Sequence, residues 1–224
     1  MLSSLFCVFS VLAVLTGLES VIPLHVERTF GWSTEGAGLI FLGLSVPIFL
    51  TPIIGKLHGR FGPHPLSIIG LVIITAAGLL LAMIRSHSVT LIALLVVYLV
   101  AIGTGITLVM TPEMAEISAF GEKKAKEEPE VFGQGATAQC CALMTIANSL
   151  GGVVGPVVIG HVKAASGWIP ASITVGAFGA LGLVVLVLLM AYDKSHGKEK
   201  VVTKQPPSRD EEKASVETKE EEET

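Results

Sequence analysis

Charge is scarce in this chain: 15% of its 224 residues are Asp, Glu, Lys or Arg, against 51% that are hydrophobic, and the charged ones crowd into a few short stretches. A water-soluble domain of this size needs a more polar surface. The shortage, together with a mean hydropathy of +0.71, therefore points to a lipid bilayer as the solvent. Cysteine is scarce too. Cys7, Cys140 and Cys141 lie inside apolar stretches without CxxC or Cys/His spacing, which argues against a disulfide framework or a thiolate metal site and leaves them as small packing residues. No phosphate cradle, nucleophile elbow or zinc motif is present, so the sequence speaks for no enzyme, no metal and no cofactor. His58, His64, His87 and His161 fall at loop positions without ligand spacing and read as interfacial residues. The net charge of −4 arises mainly from Glu211, Glu212, Glu217 and Glu220 to Glu223 near the C-terminus, so it implies no nucleic-acid partner.

What the chain has in abundance is apolar runs of about twenty residues, the length that crosses a hydrocarbon core as a helix. Six are expected, at 4–24, 36–54, 66–84, 90–112, 137–161 and 170–192, giving an all-α, six-transmembrane-helix bundle. Gly31, Trp32 and Glu35 precede the second span, Gly62, Pro63 and Pro65 the third, Arg85, Ser86 and His87 the fourth. The charged stretch 122–130 precedes the fifth, and Gly167 and Trp168 the sixth. The first run is read as a span rather than a cleaved leader, because no basic segment precedes it and apolar character resumes past Glu19 at Val21, Ile22 and Leu24.

An even number of spans puts both termini on one side. That side carries Lys56, Arg60, Lys123, Lys124, Lys126, Lys194, Lys198 and Lys200, and the other only Arg28, Arg85 and Lys163. The positive-inside rule then places both termini in the cytoplasm. Residues 193–224, rich in Lys and Glu with Pro206 and Pro207, are expected to form a disordered cytoplasmic tail.

Few polar groups interrupt the spans, and each is a candidate. Glu19 is the most informative, since an intramembrane carboxylate costs roughly 2.5–3.5 kcal/mol unless it faces a cavity or a partner, and acids so placed serve proton relays. Gln139, Thr145, Asn148 and Ser149 give the fifth span a polar set, with 145, 148 and 149 on one face. Thr104, Thr107, Thr111 and Tyr98 do the same for the fourth. Such groups line a cavity or hydrogen-bond a neighbouring helix at about 0.6–2 kcal/mol each. Gly151 and Gly155 share a helix face and permit close backbone approach, Gly160 follows them, and Pro156 removes a backbone donor and bends the helix.

Three segments carry a family resemblance. Gly55-Lys-Leu-His-Gly-Arg-Phe-Gly62 resembles the major facilitator pattern G-x-L-x-D-R-x-G. Gly55, Leu57, Arg60 and Gly62 match, and Gly59 stands where the pattern has its acid. The resemblance implies a cytoplasmic gating loop whose small residues let helix ends approach and whose arginine ties them together. Gly151-Gly-Val-Val-Gly155-Pro156 is similar to the Gly-rich, Pro-kinked helix of proton-driven antiporters in that superfamily. Thr16-Gly-Leu-Glu19-Ser-Val-Ile-Pro23, with Met110-Thr-Pro112-Glu-Met-Ala-Glu116, resembles the C-terminal half of vesicular amine transporters and their fungal drug:proton antiporter relatives. Thr107 and Thr145 stand where a vesicular amine transporter's acids are expected, so a monoamine substrate does not carry over.

The resemblance implies helices seven to twelve of a twelve-helix transporter that exchanges a small organic compound for protons, in a plasma, vacuolar or vesicular membrane. Glu19, Thr107, Thr145 and Asn148 are then the coupling or cavity residues. A missing N-terminal six-helix half or a second copy would supply the other wall. The competing expectation is a truncated or regulatory membrane protein without transport activity of its own.

Overall fold

A computed structural model describes residues 1–31, 33–84, 89–127 and 135–202. Trp32, Arg85 to His87, the end of the charged stretch at 128–130 and the tail from 203 onward lie outside the described residues. The chain forms two compact units, Met1–Val187 and Leu188–Thr224.

The described secondary structure is helical: α1 (Leu2–Phe30), α2 (Thr34–Ser45), a 3₁₀ segment (Val46–Leu50), α3 (Thr51–Phe61), α4 (Pro63–Leu80), α5 (Val89–Glu127), α6 (Ala136–Ser166) and α7 (Trp168–Val202). Among the described residues six stretches are long and apolar enough to cross a bilayer, the second being made of α2, the 3₁₀ segment and α3 together. That span is interrupted because Pro47 and Pro52 lack the amide hydrogen that a continuous α-helix needs there. α1 stops where Gly31 turns left-handed at φ 67°, its amide donating to the Glu27 carbonyl at 3.0 Å.

The number of spans agrees with the sequence, but the helices run further than the apolar runs. α1 reaches Phe30, past the apolar run 4–24, and α5 continues to Glu127, past the run 90–112. A helix does not end where the hydrocarbon does: beyond it, water can satisfy side chains while the backbone bonds continue, and Lys123 and Lys124 reach Glu127 at 3.7 and 3.5 Å along the α5 surface. α7 runs to Val202, past the apolar run 170–192.

Within the first unit the helices are held at close range by small residues. Inside a bilayer helices gain little from hiding apolar surface from one another, so packing contact decides which faces meet. A Cβ at Gly70 would lie 2.7 Å from the Gly105 carbonyl, and one at Gly105 the same distance from the Gly70 carbonyl, which locks α4 to α5. Gly78 and Gly176 bring α4 and α7 together in the same way. Gly151 and Gly155 press α6 onto Phe9, Leu12 and Ala13 of α1. Ser10 adds a hydroxyl donated to the Phe178 carbonyl. Val8, Ile117, Cys140 and Met144 close the bundle at the α1 N-terminus. Large apolar side chains such as Phe49 (81% exposed) point outward, as expected where lipid rather than water is the surroundings.

Candidate functional site

The side chains that stand apart from this packing gather on a wall made by α1, α2, the 3₁₀ segment and α5. Leu15 and Glu19 lie one helical turn apart on α1, and Gly103, Ile106 and Thr107 form the matching face of α5. Between them opens a cavity of about 430 Å³, in which Glu19 is the only charged group among the lining residues and Phe41, Leu44 and Ile48 add apolar surface. Glu19 is exposed. Pro23 removes the amide that would otherwise bond the Glu19 carbonyl, so backbone as well as side chain is left polar at this point. Thr107 is 8% exposed and donates its hydroxyl to the Gly103 carbonyl at 2.8 Å, leaving the oxygen lone pairs for a donor in the cavity.

The other candidates lie elsewhere. Thr145 and Asn148 sit on α6 and are not among the residues lining this cavity. Thr145 is exposed and spends its hydroxyl on the Cys141 carbonyl at 3.0 Å. Asn148 is half-buried with its Oδ1 enclosed and unbonded. Ser149 and Thr104 likewise bond carbonyls of their own helices.

The 55–62 segment is the C-terminal part of α3 and its cap. Arg60 is exposed, its guanidinium carbon 5.6 Å from the centre of the Phe61 ring, and among the described residues it makes no ion pair. Within this chain a Cβ at Gly55, Gly59 or Gly62 would meet nothing within 4 Å. Gly62 is required for a different reason: it caps α3 at φ 80°, a conformation that side chains disfavour, with its amide bonded to the His58 carbonyl at 2.8 Å. Leu57 is 39% exposed.

Gly160 too has open space within this chain where a Cβ would go. Five residues past Gly155, it has rotated off the face shared by Gly151 and Gly155. Pro156 is half-buried within α6.

One residue had drawn notice only as a letter in a resembling segment. Glu113 is 0% exposed and accepts a hydrogen bond from the Ser67 hydroxyl at 2.6 Å. Its Oε2 is enclosed without a partner, and Ser4, Glu116 and His64 stand close enough to act on the carboxylate. The group thus ties α5 to α4 and reaches the start of α1. Sequence offered one signal, an acid directly after Pro112 inside an apolar helix, but nothing that named Ser67.

Among the described residues, six long apolar helices joined along glycine seams define a polytopic membrane protein. The Major Facilitator Superfamily model matches residues 4–220, and the chain belongs to that superfamily. The uncharacterized MFS-type transporter YhcA of Bacillus subtilis (strain 168) is 36% identical over 73 residues, a stretch covering 32% of this chain and 14% of that protein. The chain thus matches only a small part of that relative's length.

Proposed function

We propose that this chain is one six-helix half of a secondary transporter that moves a small organic compound against protons, in the manner of drug or metabolite efflux. The observation that carries the reading is the cavity that joins Glu19 of α1 to Thr107 of α5. Its lining is mainly apolar with one carboxylate, which suits a compound with a hydrocarbon body and a single cationic or hydrogen-bonding group. Glu19 would take a proton when the compound leaves and give it up when the compound binds. Rocking two half-bundles about a midplane site is the physical route by which such carriers alternate access. A second six-helix body, either an N-terminal half or another copy, would close the cavity from the far side.

The fungal drug:proton antiporter group supplies the finer comparison through Glu19, Pro23 and the Gly151 to Pro156 segment, and a plasma, vacuolar or vesicular membrane would house the protein. Both termini would face the cytoplasm. Cysteine labels at Lys124 should then resist an impermeant reagent in sealed cells while one at Glu35 reacts; labelling of position 124 from outside would overturn that orientation. The functional test is proton movement in vesicles holding the chain together with an N-terminal six-helix half. Addition of a transported organic cation should discharge an imposed proton gradient. A gradient untouched by a broad panel of organic compounds would contradict antiport.

A further inference from the structure

At the end of the bundle opposite the Gly62 cap lies a second cavity, of about 550 Å³, between the last turns of α1 and α6 and the start of α7. Its charged lining is Arg28 and Lys163, with no carboxylate among the lining residues. Both cations occupy last turns of helices, where carbonyl ends attract positive charge. That accounts for their presence but not for the cavity between them.

The aromatic wall is built in place. Trp168 stacks on His25 with ring centroids 3.5 Å apart and planes 9° from parallel. Its Nε1–H donates to the Leu81 carbonyl at 3.1 Å. The Lys163 ammonium lies 5.6 Å from the Trp168 ring centre and donates to the Val21 carbonyl, which leaves two of its three hydrogens for another acceptor. Arg28 is exposed and presents a guanidinium fork. α7 begins at Trp168, which places its start beside the cavity. Leu24, 40% exposed, and Ala164 add apolar surface beside the charged groups.

We propose that this cavity binds a phosphate-bearing anion, supplied by the headgroup of an acidic phospholipid whose first methylenes lie on Leu24 and Ala164. Two cations without a lining counter-charge, a fixed indole and an adjoining apolar wall match a headgroup whose phosphate and acyl chain meet at one point. The place matches too: Arg28 ends its span, Lys163 lies in the last turn of its own and Trp168 begins the next, at the depth where headgroups lie. The proposal is independent of the transport reading, since it uses none of the lining residues of the Glu19 cavity.

The test is thermal unfolding and native mass spectrometry of the purified full chain in detergent with added phosphatidylglycerol or phosphatidylcholine. Phosphatidylglycerol should raise the melting temperature and remain bound. Arg28→Gln and Lys163→Gln should each weaken its binding about fivefold, whereas Arg28→Lys and Lys163→Arg keep most of it. Equal stabilisation by the two lipids, or undiminished binding in the Gln variants, would overturn the proposal. Inorganic phosphate tests the source on the unaltered chain, so this arm survives even if a variant fails to fold. Failure of millimolar phosphate to displace the lipid supports the headgroup, while displacement and equal stabilisation by phosphate alone would overturn it in favour of a soluble anion.

Discussion

Glu19 and Glu113 are both carboxylates inside long apolar helices, and the bundle treats them in opposite ways. Glu113 is fully enclosed, bonded to Ser67 and set where α1, α4 and α5 converge. Glu19 stands exposed on the wall of a cavity with apolar neighbours. The enclosed acid ties α5 to α4 through the one oxygen that accepts from Ser67, while its other oxygen is enclosed without a partner. An acid on an open wall is available to something that enters and leaves. The same contrast runs through the glycines. Gly151 and Gly155 lie against α1, while Gly55 and Gly160 face open space.

If the contrast is real, substitutions in the interior should cost stability and those on the wall should not. The largest expected effect is Gly155→Val, which would force α6 away from the Ala13 backbone and destabilise the bundle by about 1–3 kcal/mol or more. Loss of a monodisperse species on size-exclusion chromatography would report it. Gly160→Val should stay within about 0.5 kcal/mol of the parent, and equal damage from the two would break the comparison. Next comes Glu113→Ala, expected to cost about 1–3 kcal/mol in detergent unfolding, since it removes the bond that ties α5 to α4. Ser67→Ala should cost a similar amount, about 1–3 kcal/mol, since it leaves the enclosed Glu113 carboxyl without its donor. Smallest in stability are Arg60→Ala and Lys56→Ala, both at exposed positions and within about 0.5 kcal/mol. Arg60→Ala should nonetheless slow transport more than Lys56→Ala does, as measured by uptake in vesicles. Equal and negligible effects on uptake would remove the gating role of that loop.

Much of the fold could be read from the sequence because bilayer thickness imposes a length that apolar runs either meet or miss. All six spans were legible for that reason. Their ends were not, since the continuation of α5 from Pro112 to Glu127 depends on backbone bonds and surface ion pairs rather than on hydropathy. Local spacing made the Gly151/Gly155 face visible. It could not reveal that Gly70 meets Gly105, that Ser67 bonds Glu113 or that His25 stacks on Trp168, because those partners are distant in the chain and one sequence holds no record of which faces meet. The candidate site was legible in part. Glu19 stood out through its cost in lipid, yet its pairing with Thr107 across a cavity, and the absence of Thr145 and Asn148 from that lining, needed the packed helices.

The central proposal is that Glu19, on the open wall, holds the proton and the transported compound in alternation. Its most direct test is Glu19→Gln in vesicles carrying the chain with an N-terminal six-helix half, under an imposed proton gradient. The substitution keeps shape and hydrogen bonding while fixing the group neutral. The account predicts that gradient-driven accumulation falls to the level of empty vesicles while detergent stability changes by less than about 0.5 kcal/mol. Accumulation that persists in the Gln variant, with an unchanged dependence on pH, would contradict it.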